Sequence, residues 1–307
     1  MRVLISNEPD DEVGVEKLSS LDGIEVHTYD PNVSELTDEQ RKSEILIPPY
    51  RGSHRPIPLL EQLTNLRMVQ LLSAGVDEWA NHVSAHVTLS SARGAHAGPV
   101  SEWVLSAILT QLRQWPMLVR FQDVGEWAHR RFQADTLDGK RVLIVGAGHI
   151  GLAVAKRLTA FNATSTLVAS AAREGVHAPS ELPSLIKGHD IVVITAPLTA
   201  ATRGLVNGAF LSAMDDGSLL VNVARGQIVE TDALVAELRN GRLCAALDVT
   251  DPEPLPTGHP LWTFPGLIIS PHSARTVPGA NSLCYSVAVE QIRTLAAGGV
   301  PSNAVTR

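Results

Sequence analysis

Three polar residues stand in the C-terminal half of the chain, each after a short apolar run. Arg225 follows LLVNVA, Glu253 lies in LDVTDPEPLP, and His272 closes IISPH. Their types suit proton transfer on an anion. An arginine presents a planar fork of donors that fits a carboxylate and polarises a carbonyl. A histidine titrates near neutral pH and so both gives and takes a proton. A carboxylate beside it favours the imidazolium form and fixes the ring. Taken singly, each has an ordinary reading, since an arginine after a strand is commonly at the surface and a histidine after proline caps a loop. What raises their interest is that all three sit at carboxyl ends of predicted strands, where open α/β sheets bind ligands.

A second constellation is Gly146-Ala147-Gly148-His149-Ile150-Gly151, directly after the apolar run RVLIV and before the helical stretch LAVAKRL. A GxGxxG spacing alone is weak. Between a strand and a helix it has a mechanism: a tight turn, a close backbone approach to a pyrophosphate, and close helix–strand packing. The helix N-terminus adds free N–H groups and a partial positive charge. His149 is expected to face phosphate or solvent, because the reacting ring of a dinucleotide lies far from its pyrophosphate.

The elements needed to hold these residues follow from the apolar pattern. RVLIVG, TSTLVAS, DIVVITAP, SLLVNVAR, CAALDVT and GLIISPH are six apolar runs over residues 141–272. They are separated by roughly 12–25 residues of helical character, the spacing of successive βαβ units. A doubly wound parallel sheet is the expectation. Four more runs, RVLIS, EILIPPY, MVQLLS and HVTLSS, predict buried parallel strands in the first ninety residues. Loops at PPYRGSHRP and SAGVD follow two of them. From Pro99, apolar residues Val104, Leu105, Ile108 and Leu112 predict a helix capped by Ser101 and ended before Pro116. The stretch FQDVGEWAHRRFQADTLDGK reads as an irregular arm, and roughly Gly279 to Ala297 as a last helix.

Composition narrows the function classes. The 307 residues are 44% hydrophobic and 19% charged, an ordinary globular mix. The net charge is −7 with no basic tract, which disfavours nucleic-acid binding and means that an anionic substrate must be drawn in by local groups. The longest stretch free of charged residues, between Glu253 and Arg275, holds five prolines and so is no membrane helix. There are 2 cysteines, Cys244 and Cys284, too few for a disulfide framework, and the histidines lack metal-like spacing. A cytoplasmic protein without a bound metal is expected.

With these residues in view, the chain resembles the D-isomer-specific 2-hydroxyacid dehydrogenase family over nearly its whole length. The matching pieces are SAGVD (73–77), GAGHIG (146–151), TAPLTAATRG (195–204), VNVARGQIV (221–229), LDVTDPEPLP (247–256) and SPH (270–272). The resemblance implies an α/β protein of two Rossmann-like doubly wound domains with a cleft between them. Residues 1–98 plus 276–307 would form the substrate domain, and 99–275 the dinucleotide-binding domain. It implies an NAD(P)-dependent enzyme moving a hydride between a nicotinamide cofactor and a small 2-keto or 2-hydroxy acid, in the manner of glyoxylate and hydroxypyruvate reductases. Arg225 would bind the substrate carboxylate, His272 would be the acid/base, and Glu253 its partner. Ser73, Ala74, Gly75 and Val76 would hold the carboxylate through backbone N–H groups, with Tyr50, and Arg51 beside it, lining the same pocket. Ala196, Pro197, Thr202, Val223 and Ala224 would border the cofactor. Asp248 would contact its nicotinamide side or, alternatively, hold the strand–loop junction. The helix holding Trp103 and the arm with Trp115 and Trp127 match a region that often builds a dimer contact in the family; the alternative is packing within the monomer.

Departures from the family pattern add two expectations. The dinucleotide fingerprint calls for an acidic residue near 166–173, yet that stretch offers Ser170 and Arg173 and no carboxylate. NADP(H) is therefore favoured over NAD(H). Arg275 follows the histidine where small residues are usual, and either draws the substrate in or serves as a solvated hinge residue. Competing readings are a cofactor-sensing binding protein of the same fold, or a formate- or phosphite-type dehydrogenase. Those two branches carry a glutamine in place of Glu253 and a lysine in the Ser73–Val76 loop, respectively.

Overall fold

The computed structural model describes residues 1–305. The chain divides into two compact units, one made of Met1–His96 with the C-terminal stretch from Val277, the other of Ala97–Thr276.

The first unit is a five-stranded parallel sheet in the order β2-β1-β3-β4-β5, from β1 (Arg2–Ser6), β2 (Glu25–Tyr29), β3 (Ile45–Ile47), β4 (Met68–Gln70) and β5 (Thr88–Ser90). Alternate residues of β1 enter opposite cores. Val3 and Ile5 join a cluster with α1 (Glu12–Ser19) and the long C-terminal helix, whereas Leu4 joins the cluster around Trp79 on the other face. Each such buried side chain contributes about 1.5–3 kcal/mol, which explains why near-continuous apolar runs become central strands. A short α2 (Asp38–Arg41) carries a capping box between Thr37 and Gln40.

The second unit opens with α3 (Ala97–Leu112) and α4 (Trp115–Asp123). Its six-stranded parallel sheet has the order β11-β10-β9-β8-β6-β7. The strands are β6 (Arg141–Val145), β7 (Thr164–Val168), β8 (Ile191–Ile194), β9 (Leu219–Asn222), β10 (Cys244–Leu247) and β11 (Leu267–Ile269). Helices α5 (His149–Leu158), α6 (Leu182–Leu185), α7 (Gly208–Ala213) and α8 (Thr231–Arg239) join them, and α9 (Ala280–Ala296) returns to the first unit. Strand order reverses between β6 and β8, the switch point at which doubly wound sheets take ligands. Both units are thus parallel sheets flanked by helices, the Rossmann-like arrangement expected from the pattern of apolar runs.

Two expectations need correction. Ser101 does not cap α3: the helix begins at Ala97, and the buried Ser101 hydroxyl donates back to the carbonyls of Ala97 and Gly98. Pro99 lies in the first turn, where its missing N–H costs no helical bond, so the helix extends upstream of it. The irregular arm is helical at its start, because α4 runs to Asp123 with Pro116 in its first turn.

Candidate active site

The glycine turn shows why three of its residues are small. A Cβ on Gly146 would lie 2.4 Å from the backbone nitrogen of Ala196, and one on Gly151 would lie 2.0 Å from the carbonyl oxygen of Gly146. The turn after β6 is therefore pressed against the loop after β8. At Gly148 a Cβ would meet nothing within 4 Å. Packing of the chain does not require a glycine there, so the open space fits a close-lying phosphate. The first helical bond of α5 runs from Leu152 N–H to the Gly148 carbonyl. N–H groups of His149, Ile150 and Gly151 thus lie in the unpaired first turn, the donors a dinucleotide pyrophosphate needs. His149 is exposed and Ile150 packs against the core beneath.

Beyond β7, Ser170 is exposed, and Arg173 forms a tight hairpin with Val176. Arg173 Nη2 donates to the Ala147 carbonyl at 2.7 Å, which ties the hairpin to the glycine turn. Ala196 is buried, and the Thr202 hydroxyl donates to the Pro197 carbonyl at 2.6 Å, closing that loop on itself.

The loops after β9, β10 and β11 carry the arginine, the carboxylate and the histidine. Asn222 ends β9 and bends the chain, since its Oδ1 accepts from Ala224 N–H at 3.0 Å and its Nδ2 donates to the Arg225 carbonyl at 3.0 Å. Val223 and Ala224 are buried, and Arg225 Nη1 donates to the Ala224 carbonyl at 2.8 Å. A Cβ on Gly226 would lie 1.9 Å from the Thr250 carbonyl oxygen. Glycine is thus what lets the loop bearing Arg225 touch the loop that leads to Glu253.

His272 is held in the left-handed region at φ 51°. Such backbone costs about 1–3 kcal/mol for a non-glycine residue and persists only when its surroundings enforce it. Asp248 supplies that enforcement. Its buried carboxylate accepts from Ser270 Oγ at 2.5 Å, Ser273 N–H at 2.8 Å and Ala274 N–H at 3.0 Å. Its backbone carbonyl accepts from His272 N–H at 2.8 Å. The junction-holding reading of Asp248 has a full set of contacts.

His272 Nδ1 and Glu253 Oε1 are 2.7 Å apart, with side chains 35% and 39% exposed. A carboxylate only accepts, so Nδ1 carries the proton and Nε2 is left to exchange one with a substrate. The bond to His272, aided by the charge of Arg225, holds the Glu253 carboxyl below the usual carboxylate range. Glu253 is therefore an anion at neutral pH.

In the first unit, Tyr50 follows β3 and Ser73–Val76 follows the neighbouring β4. The Ser73 hydroxyl donates to the Gly75 carbonyl at 2.7 Å, and the Ser73 carbonyl accepts from Ala92 N–H at 2.8 Å. Reading the sequence overlooked Asn222, Gly226 and Ser270, which shape the loops without reacting. A glycine immediately after Arg225 was the available signal. Among the described residues no helix is long and apolar enough to cross a membrane.

Comparison with known proteins agrees with this geometry. Residues 105–274 match the family model described as D-isomer specific 2-hydroxyacid dehydrogenase, NAD binding domain. A glyoxylate reductase of Aeropyrum pernix is 32% identical over 266 residues, 81% of this chain and 79% of that protein. A D-isomer specific 2-hydroxyacid dehydrogenase from Xanthobacter autotrophicus, solved with NADPH and MES, is similar with TM-score 0.81 and 28% identity over 99% of this chain and 98% of that one. An NADPH-dependent glyoxylate/hydroxypyruvate reductase from Sinorhizobium meliloti has TM-score 0.80 and 25% identity over 99% and 97% of the two chains. The chain belongs to the D-isomer-specific 2-hydroxyacid dehydrogenase family, NAD(P)-dependent oxidoreductases that act on the CH–OH group of their donors.

Proposed function

We propose that the protein reduces small 2-keto acids, with glyoxylate and hydroxypyruvate as the foremost candidates, and that it draws the hydride from NADPH. The observation that carries this reading is the 2.7 Å His272–Glu253 pair beside Arg225, at the strand ends of the family's nucleotide-binding unit. A bound nicotinamide supplies the hydride; the chain's own residues do the rest. Arg225 pairs its guanidinium fork with the substrate carboxylate and carbonyl. Within the first unit, the Ser73–Val76 loop offers backbone N–H groups to a carboxylate, and Tyr50 stands at the same end of the sheet. His272 Nε2 delivers a proton to the developing alkoxide, and Glu253 stabilises the imidazolium that precedes that delivery. Asp248 keeps His272 in place by binding the loop on both sides of it.

The glycine turn, with Gly146, Gly148, His149, Ile150 and Gly151, holds the pyrophosphate, while Ala196, Pro197, Thr202, Val223 and Ala224 border the rest of the cofactor. Three features support NADPH. The ribose position lacks a carboxylate, Arg173 is anchored beside the glycine turn, and the similar structures were solved with, or named for, NADPH. Initial rates with glyoxylate, hydroxypyruvate, pyruvate and phenylpyruvate, each with NADPH and NADH, test the whole reading. Turnover of none of them favours the cofactor-sensing alternative. A kcat/KM preference for NADH, unaffected by Arg173→Ala, rejects the role given to Arg173.

The enzyme works as a homodimer through the α4 arm. Helix α4 has no buried residue, and Trp115, Val119, Val124 and Trp127 are 54%, 45%, 73% and 91% exposed. Four large apolar side chains so close together mark an interaction face. Trp103, by contrast, packs within its own unit. Sedimentation of wild type and of Trp127→Ser decides the matter: a dimer weakened by the substitution supports the assignment, and a monomeric wild type rejects it.

A further inference from the structure

Glu253 must stand 2.7 Å from His272, yet its own loop gives it little support. Pro252, Glu253 and Pro254 are exposed, so burial does not hold them. Among the described residues, no backbone N–H from Val249 to Gly258 donates to a backbone carbonyl. Two threonine hydroxyls fasten the chain ahead of Glu253 instead. Thr231 Oγ1 donates to the Asp251 carbonyl at 2.7 Å, and the hydroxyl of the buried Thr250 donates to the Pro252 carbonyl at 2.9 Å. Just before these carbonyls, the Thr250–Asp251 peptide is pressed against Gly226, where a Cβ would lie 1.9 Å from the Thr250 oxygen and 2.6 Å from the Asp251 nitrogen. Beyond Glu253 the loop is caught again, by Trp262 Nε1 on the Pro256 carbonyl at 3.0 Å. Proline fixes φ at Pro252 and Pro254, so a direction set at Asp251 is carried on to Glu253 through few soft torsions.

Thr231 opens α8, a helix that has no side-chain cap. Its hydroxyl serves a carbonyl 20 residues further along the chain instead of its own helix end. We infer that Thr231 is a positioning residue: through its bond to the Asp251 carbonyl it fixes the course of the loop and keeps Glu253 within reach of His272. Thr231 touches no reacting group itself. The groups that act on the Glu253 carboxyl are the His272 ring, a backbone hydrogen bond at Thr250 and the charge of Arg225. A loop released from α8 therefore costs the carboxylate its hydrogen-bonded partner, which is more than a loosening of the fold.

The inference rests on the keto-acid reading above for its kinetic arm, and a second arm separates the two. Thr231→Val keeps the shape and leaves the Asp251 carbonyl without its donor; Thr231→Ser keeps the hydroxyl. With glyoxylate or hydroxypyruvate, Thr231→Val should lower kcat about fivefold, the worth of one neutral hydrogen bond, at unchanged dinucleotide affinity. Thr231→Ser should restore most of the rate. Added to Glu253→Gln, Thr231→Val should cost little more, because the carboxylate it positions is already gone. The second arm needs no substrate. The Glu253 carboxyl carbon signal in NMR, assigned by its loss in Glu253→Gln, should titrate at higher pH in Thr231→Val than in wild type, because the His272 bond that holds it low is weakened. An unmoved Glu253 titration in folded Thr231→Val, a kcat within about twofold of wild type, or fully additive losses in the double variant overturns the inference. A wild-type enzyme that reduces no keto acid overturns the keto-acid reading, and the titration then decides this inference alone.

Discussion

Glu253 is held as an anion by its neighbours. The hydrogen bond from His272 first, then a backbone hydrogen bond at Thr250 and the field of Arg225, holds the carboxyl below its ordinary value against the opposing effect of burial. Folding therefore gains from Glu253 above its unfolded titration and loses that gain as pH falls through the depressed folded value. Glu253→Gln keeps the size of the side chain but removes the charged acceptor that fixes His272 Nδ1–H. The kcat for keto-acid reduction should fall about tenfold or more, while cofactor affinity holds. A kcat equal to that of wild type would sever the pair. The strand-end places of the three residues were legible in the sequence; the 2.7 Å contact was not, because Glu253 and His272 lie on loops after different strands.

At the scale of elements, glycines report where one loop must touch another and where it must leave room. Gly226→Ala would drive a Cβ to 1.9 Å from the Thr250 carbonyl, and backbone cannot yield as a flexible side chain does. The loops carrying Arg225 and Glu253 should part, lowering kcat/KM about a hundredfold and Tm by several degrees. Gly148→Ala provides the contrast. Its Cβ meets no atom of the chain within 4 Å, so Tm should hold while dinucleotide affinity, followed by nicotinamide fluorescence, falls about tenfold or more. An unchanged affinity would mean that the cofactor does not pass Gly148. GxGxxG marked the turn and its three uses in the sequence; that a side chain is barred by neighbouring backbone at Gly146 and Gly151 but not at Gly148 is decided by packing. One strand escaped notice altogether. β2, EVHTY, is an edge strand with only Tyr29 buried, so it lacks the continuous apolar run by which its neighbours were found.

At the scale of the whole molecule, the chain ties its two ends together inside the first unit. Tyr285 of α9 donates to Asp11 Oδ1 at 2.6 Å, and the Ser6 hydroxyl bonds the other carboxyl oxygen. Gly14 makes room, since a Cβ there would lie 2.4 Å from the Tyr285 ring. Burial, the largest influence, pushes the Asp11 carboxyl above its ordinary value despite these bonds. A raised folded value means that Asp11 favours the fold most below its unfolded titration and that this contribution is lost as pH rises through the folded value. Asp11→Asn keeps an acceptor for Tyr285 and offers Ser6 a donor without the charge. Its Tm should exceed wild type by roughly 2–4 °C at pH 8 and converge with it near pH 4. Equal differences at both pH values would show that Asp11 does not titrate in the fold.

Local pattern alone determined the parallel α/β class, ten of the eleven strands among the described residues and the strand-end places of Arg225, Glu253 and His272, because strand burial and strand-to-helix turns leave marks within a few neighbouring positions. Tertiary structure decided what depends on distant segments meeting. It set the left-handed His272 enforced by Asp248, the Gly226–Thr250 contact, the tie between Asp11 and Tyr285, and the bond from Thr231 to the Asp251 carbonyl. In each case the partners are separated along the chain, and only the order of strands in the sheet, or the packing of helices such as α9 against it, brings them within reach of a hydrogen bond or a van der Waals contact.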